Sequence, residues 1–332
     1  MFDEIVGQFD AVNILRKSIK SGRRASSYIF AGADGVGKKL AALAFSAALN
    51  CTGAKDANAC GKCSSCRKLS GGNHPDIHVI SPEKKAVSIA QIRMVQHDAN
   101  LRPLEGAVKT YIIEDAHMMT TEAMNCLLKI LEEPPSSVVF ILLTSNPAGL
   151  LPTITSRCQS VRFSALKREQ IRDFLVKGGF SSDDEASLIS CFSNGSISMA
   201  LAWRKRDLAG QRQNMVELIR ASYARDTGAL FAGAEMLSSE KQSVELFLDI
   251  LASLYRDMIL ISLGEEEKKD DVFVNRDIIG DLKLCAKSDT VEGLREKVAA
   301  ILETRALIQK NVNARLALEA MFLKLTKIGC NI

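Results

Sequence analysis

Between residues 26 and 145 the chain alternates two hydrophobic patterns. Short unbroken apolar runs, SSYIFAG (26–32), DIHVI (76–80), VKTYIIED (108–115) and VVFILLTS (138–145), predict four buried strands. Between them lie stretches with apolar residues at three and four spacing: KKLAALAFSAAL (38–49), SIAQIRMVQHDANL (88–101) and TEAMNCLLKILEE (121–133). These predict helices; in the last, Met124, Leu127, Leu128 and Leu131 share one face. Ser88 and Gln91 have the spacing of a capping box. Strands alternating with helices predict an α/β domain with a parallel sheet and helices on both faces.

After Pro152 the pattern changes. All seven prolines lie at or before that position, so no proline forces a later helix to break. LKREQIRDFLVKGG (166–179) and DDEASLISCFSNGSISMALAW (183–203) predict small helices. VELFLDILASLYRDMILISL (244–263) and the run 294–325 carry helical apolar spacing over longer stretches. The acidic-basic run EEEKKDD (265–271) predicts a solvated loop. No internal repeat is visible.

Length and composition then set limits. A chain of 332 residues implies two or three domains, and 25% charged with 47% hydrophobic residues is ordinary for a globular protein. A formal charge of +4 neither demands nor excludes nucleic acid. The opening MFDEIVGQFD is acidic and lacks a signal core, and no apolar run reaches the ~18–20 residues of a membrane helix, so the expectation is a cytoplasmic protein with no membrane contact.

Two motifs carry chemistry. Gly32, Gly35, Gly37 and Lys38 fit G-x-x-x-x-G-K, between a predicted strand and a predicted helix. Such a loop turns backbone N–H groups and a helix N-terminus toward phosphate. A glycine-rich turn without a ligand is the plainer alternative, and the strand–loop–helix context favours the cradle. Lys39 stands where a magnesium-binding hydroxyl is expected and cannot ligate a cation. The acidic pair at the end of a later strand, Glu114 then Asp115, reverses the usual order of magnesium-steering Asp and water-polarising Glu. The second motif is Cys51, Cys60, Cys63 and Cys66, spaced C-x8-C-x2-C-x2-C. Four thiolates suit a closed, structural zinc site, with an iron–sulfur cluster as the alternative. The remaining cysteines (126, 158, 191, 285, 330) read as small apolar residues, and the four histidines (74, 78, 97, 117) show no ligand spacing.

Taken together, these stretches resemble the bacterial clamp-loader subunits of the AAA+ class, most closely the delta prime family of DNA polymerase III. LNCTGAKDANACGKCSSCRKL (49–69) is similar to the family's zinc module; GGNHPDIHVISPE (71–83), notably His74-Pro75-Asp76, resembles the segment that follows it. NCLLKILEEPPSSVVFILLTSNPAGLLPTITSRCQSVRF (125–163) is similar through the Ser156-Arg157-Cys158 motif. The clear resemblance covers about residues 1–207. It implies an AAA+ domain over 1–165 with the zinc module at 50–70, a helical lid over 166–207 and an all-helical collar over 208–332. It implies that Asn146 senses the nucleotide's gamma-phosphate, that Ser198 replaces the arginine of a second sensor, and that Arg157 acts in trans on a neighbour's nucleotide. ATP or ADP is the implied ligand of the loop, with hydrolysis degraded. The implied assembly is a heteropentamer of delta, delta prime and three gamma/tau chains that places a sliding clamp on primed DNA. A hydrolysing gamma/tau-type subunit and a zinc-dependent nucleic-acid binder are the competing readings. Lys39, the Glu114–Asp115 order and Ser198 oppose the first, and the weak net charge opposes the second.

Overall fold

The computed structural model describes residues 1–83, 86–205, 208–238, 241–264, 272–310 and 312–328. The expected loop at 265–271 and Cys330 lie outside the described residues. Two compact units emerge: Met1–Gly179 with Ser193–Ala200, and Phe180–Phe192 with Leu201–Ile332.

The first unit is α/β. Its order is α1 (Phe9–Lys20), β1 (Ser27–Ala31), α2 (Lys38–Asn50), α3 (Ser64–Ser70), β2 (Ile77–Ile80), α4 (Ile89–Ala99), β3 (Lys109–Ile113), α5 (Thr121–Glu132), β4 (Val138–Thr144), α6 (Pro152–Thr155), β5 (Gln159–Arg162) and α7 (Arg168–Lys177). The sheet is β2-β3-β4-β1-β5, and every pairing is parallel. β4 is buried at all seven positions and β3 at all five, as unbroken apolar runs require in a sheet covered on both faces. One face packs Tyr28, Phe30, Ile112, Ile141 and Val161 against Phe45 of α2. The other packs Ile29, Tyr111, Phe140 and Leu142 against Ile92 of α4 and Leu127 of α5. The unit is the expected α/β fold, a parallel sheet with helices on both faces, with a cysteine-bearing insertion between α2 and β2. At the start of α4 the Ser88 hydroxyl accepts from the Gln91 amide at 3.4 Å and the Ser88 amide donates to Gln91 Oε1 at 2.9 Å, completing the capping box.

The second unit is helical: α8 (Asp183–Phe192), the end of α9 (Ile197–Arg204), α10 (Leu208–Tyr223), α11 (Thr227–Leu237), α12 (Lys241–Ser262), α13 (Ile279–Ala286), α14 (Val291–Gln309) and α15 (Ala314–Lys327). Here the apolar run 294–325 divides into two helices without a proline. Asn313 caps α15, its side chain accepting from the Leu316 amide at 3.2 Å, so the break is made by an asparagine that competes for backbone donors. Inside the unit the buried Lys297 ammonium reaches the enclosed carboxylate of Asp289 at 2.6 Å and lies 4.1 Å from the Tyr223 ring centroid.

Asp76 ties the cysteine insertion to the sheet. Its carboxylate is fully buried and accepts from the amides of Leu104, Glu105 and Gly106 at 2.6, 2.9 and 2.7 Å. The Asp76 amide donates to His74 Nδ1 at 3.1 Å, and His74 Nε2 faces the Ser65 hydroxyl at 2.9 Å. With Nδ1 accepting, the tautomer is fixed: Nε2 carries the proton and donates to Ser65, which sits between two of the cysteines. Burial alone would raise the Asp76 pKa, but the three amides outweigh it and hold the acid below its ordinary value.

A depressed folded pKa means the carboxylate stabilises the fold fully above the ordinary Asp value of ~3.9 and loses that contribution as pH falls through its lower folded value. At neutral pH, Asp76→Ala leaves three amides without their acceptor, at about 1–3 kcal/mol for each that water cannot reach. Hydrogen exchange of residues 100–113 should accelerate by at least about tenfold in the variant at pH 7, a loss of ~1.4 kcal/mol or more. Unchanged exchange there would show that the loop does not depend on Asp76.

Candidate functional site

β1 ends at the glycine loop, where the Gly32 amide donates to Thr144 O of β4 at 3.1 Å. Gly35 and Gly37 take φ of +74° and +103°, a left-handed path that favours glycine and delivers the chain into α2. Lys38 is the first residue of α2 and is 8% exposed. Its ammonium donates to Gly32 O at 2.5 Å, Ala33 O at 2.8 Å and Asp34 Oδ1 at 3.1 Å. The loop is therefore wrapped around its own lysine. Gln8 braces it from outside, donating to Val36 O at 3.3 Å and Ser164 O at 2.7 Å. Ser198 lies beside the loop: a Cβ on Gly35 would fall 2.6 Å from Ser198 Cβ, and Ile197 N donates to Gly35 O at 3.1 Å.

Because the strands are parallel, the residues that follow β1, β3 and β4 share one sheet edge. Glu114 follows β3, and its amide still donates to Ile80 O of β2 at 2.8 Å. Its side chain reaches the loop through Lys39, whose Nζ lies 2.9 Å from Glu114 Oε1. The other oxygen, Oε2, accepts from Ser81 Oγ at 2.5 Å. Burial would raise the Glu114 pKa; the Ser81 hydroxyl and the Lys39 ammonium overcome it and keep the acid ionised. Asp115 adopts φ +45° and opens a 3₁₀ turn at Ala116–Met118. Asn146 follows β4 with an exposed side chain, its amide donating to Thr144 Oγ1 at 3.1 Å.

These residues do not suit magnesium. The hydroxyl ligand is absent at position 39, and the lysine that replaces it holds the strand-end acid. They do suit phosphate, through the amides and two ammonium groups of one helix start.

Arg157 belongs to a different neighbourhood. Its guanidinium donates to Thr153 O at 3.0 Å, to Ser156 Oγ at 3.4 Å and to Glu132 Oε1 at 2.8 Å, the last at the end of α5. The Glu132 pair is largely exposed, a class of interaction contributing about 0–1 kcal/mol, so other acceptors can displace it.

The four cysteines converge. Their sulfurs all lie within 4.8 Å of one another, with Cys51–Cys63 at 3.9 Å and Cys51–Cys66 at 3.7 Å. A tetrahedral zinc with Zn–S of ~2.3 Å requires sulfurs ~3.8 Å apart. Amides point at the sulfurs: Cys60 N to Cys51 at 3.2 Å, Lys62 N and Cys63 N to Cys60 at 3.4 Å, and Cys66 N to Cys63 at 3.5 Å. The Cys66 amide, in the first turn of α3, pulls the Cys63 thiol down to about 6, and the Lys62 and Cys63 amides lower Cys60. Burial pushes Cys66 up to about 12 and raises Cys51.

Several functional contacts escaped the motif reading. Ser81 follows a strand run but belongs to no motif of its own, the Lys39–Glu114 pair joins residues 75 positions apart, and His74 acts through Ser65 rather than as a ligand. Only the polar character of Ser81 and Ser65 beside the motifs gave a hint.

Comparison with known proteins identifies the family. Residues 7–167 match the family profile described as DNA polymerase III, delta subunit, and residues 206–327 match DNA polymerase III, delta subunit, C terminal. Over 317 residues the chain is 32% identical to DNA polymerase III subunit delta' of Bacillus subtilis (strain 168), covering 95% of this chain and 94% of that one. It is 32% identical over 238 residues to subunit tau/gamma of Haemophilus influenzae, covering 68% of this chain and 34% of the relative. Among solved structures, a DNA polymerase III gamma subunit-related protein from Thermotoga maritima aligns over 96% of this chain and 99% of its own, at 19% identity and a TM-score of 0.48. The identity to the B. subtilis protein over nearly the whole of both chains, with profile matches in both halves, places this chain in the DNA polymerase III delta prime family of clamp-loader subunits.

Proposed function

We propose that this clamp-loader subunit contributes structure and a trans-acting arginine to its assembly while leaving ATP hydrolysis to neighbouring gamma/tau chains. The partners in this reading are gamma/tau and delta subunits in a heteropentamer, acting on a sliding clamp and primed DNA. Residues 208–332 would form the oligomerising collar, 166–207 the lid and 1–165 the AAA+ domain. The observation that carries the reading is the Lys39–Glu114 ion pair, 2.9 Å long, where a hydrolysing site needs a hydroxyl, a free acid and a cation. Ser198 beside Gly35 supports it: no arginine stands there to neutralise a gamma-phosphate.

Arg157 is the residue proposed to act in trans. A guanidinium stays charged and offers a planar fork to phosphate oxygens. Its present partners are a carbonyl, a hydroxyl and one exposed carboxylate, all exchangeable for a neighbour's phosphate. For the cysteines the proposal is one structural zinc per chain held by Cys51, Cys60, Cys63 and Cys66, with no open coordination position.

Three outcomes are expected. Elemental analysis of protein purified under reducing conditions should find one zinc per chain; Cys63→Ser should lower that content, and stripping the metal should loosen residues 50–70 while the sheet stays folded. Absence of bound zinc sinks the metal assignment, and stoichiometric iron would replace it with a cluster. The isolated chain should hydrolyse ATP at the background rate, with Lys38→Ala making no difference; steady turnover abolished by that change would make the subunit a motor. In a reconstituted complex, Arg157→Ala should assemble normally with zinc retained, yet load clamps about tenfold or more slowly, a fraction of the roughly 10³–10⁵ that an arginine finger contributes at a single site. Normal assembly with normal loading would make Arg157 an ordinary surface residue.

A further inference from the structure

The misfit between this loop and magnesium has a chemical meaning of its own. A loop of this type ordinarily places a divalent cation between the hydroxyl after its lysine and an acid at a strand end, and the cation screens the phosphates. Here both oxygens of the strand-end acid are already engaged by the protein, Oε1 by Lys39 at 2.9 Å and Oε2 by Ser81 at 2.5 Å. Glu114 is 21% exposed, and its outward oxygen faces the Lys39 ammonium rather than open water. A dication entering this position would have to expel an ammonium and would find no hydroxyl on α2 to receive it.

Lys39 is differently placed. It is the second residue of α2, one position beyond the lysine already enclosed by the loop, and it is 54% exposed. Its long side chain is anchored at one end by a helix start that favours anions and at the other by a carboxylate that keeps a second donor in Ser81. Lys39 can therefore turn toward a phosphate without stranding Glu114.

Charge decides the ligand class. With Lys38, Lys39 and Glu114 the site carries one positive unit less than an arrangement of lysine, dication and acid. A diphosphate is the better match to that smaller charge than a triphosphate.

We propose that Lys39 is a built-in replacement for the divalent cation, so that this loop takes the phosphates of a nucleoside diphosphate metal-free. This rests on the reading of the ATP site as one that does not hydrolyse, and deepens it by naming the ligand and the counterion.

The test is calorimetric titration of the full chain with ADP, in buffer freed of divalent ions by resin and in the same buffer with excess Mg2+. Resin avoids a chelator that would attack the cysteine centre. The wild-type affinities in the two buffers should agree within about twofold. Lys39→Thr restores a hydroxyl and frees Glu114, so Mg2+ should then raise ADP affinity by about tenfold or more, and Mn2+ should appear bound beside ADP by electron paramagnetic resonance. Lys39→Met removes the ammonium without supplying a ligand; it should weaken ADP about tenfold or more in both buffers, with no gain from Mg2+. Circular dichroism and zinc content establish that each variant is folded, and the wild-type comparison decides the matter even where a variant is not. A wild-type affinity that rises about tenfold with Mg2+, or Mn2+ held with ADP by the wild-type chain, overturns the proposal. So does the absence of ADP binding in both buffers, which leaves the non-hydrolysing reading intact; ATP turnover by the same samples would instead overturn that reading.

Discussion

Everything at the candidate nucleotide site depends on the parallel register of β1, β3 and β4. Ala31 pairs with Thr144, and Ile113 pairs with Leu142, so the three strands run out at one edge within two residues of each other. The chain after each strand then enters the same small region: the glycine loop after β1, Glu114 after β3, Asn146 after β4. No single segment could supply these groups, because Glu114 lies 75 positions beyond Lys39 and Asn146 a further 32 beyond Glu114. The register is in turn fixed by burial. β3 and β4 are buried along their length, their apolar side chains packing against Phe45 on one face or Leu127 and Ile92 on the other, while the buried Lys109 at the start of β3 is met by Asp98 at 3.1 Å. The site is exact in position because the strands beneath it have no alternative packing.

The two chemical centres of the first unit balance charge in opposite ways. At the glycine loop the protein supplies its own cations: Lys38 is spent on loop carbonyls and Asp34, and Lys39 on Glu114. At the cysteine centre, among the described residues, the sulfurs are met by backbone amides and by one another. Amides can lower a thiol pKa, as they do for Cys63 and Cys60, but they bring no net charge. Four thiolates in one cluster would need an external cation, whereas at the loop the Lys39 ammonium already stands against the strand-end acid.

Much of this was legible from sequence. The four apolar strand runs, the helices between them, the Ser88–Gln91 capping box and the cysteine spacing all rest on local patterns, and local patterns survive folding. What escaped was either too polar or too distant to show. β5 is QSVR, with only Val161 buried, so it carries no apolar run; its place in the sheet comes from pairing with β1. α1 begins at Phe9, which is largely exposed, and its buried positions Ala11, Val12 and Leu15 are spread thinly among polar residues. The break between α14 and α15 is made by Asn313 inside an otherwise helical apolar pattern. The Lys39–Glu114 pair could not be read at all. The sequence showed a missing hydroxyl and a reversed acidic pair as two separate departures; only the juxtaposition of α2 with the end of β3 makes them one compensated change.

That compensation also changes what the glycines mean. Retention of a phosphate-loop glycine is easily taken as a sign that phosphate is bound, but a glycine can be required by the protein alone. A Cβ on Gly32 would fall 2.3 Å from Phe163 O, and one on Gly35 would fall 2.2 Å from Ser196 Oγ. Both are thus fixed by close packing with segments that follow the sheet, whatever occupies the loop. Gly37 differs: the nearest atom to its absent Cβ is Ile5 Cγ2 at 3.6 Å, so space is available and only its φ of +103° demands glycine. The loop is consequently held in shape by Gln8, Phe163 and the 196–198 segment before any ligand arrives. A backbone preformed in this way does not spend binding energy on ordering itself, so the cost of admitting a phosphate falls on the Lys38 contacts to Gly32 O, Ala33 O and Asp34.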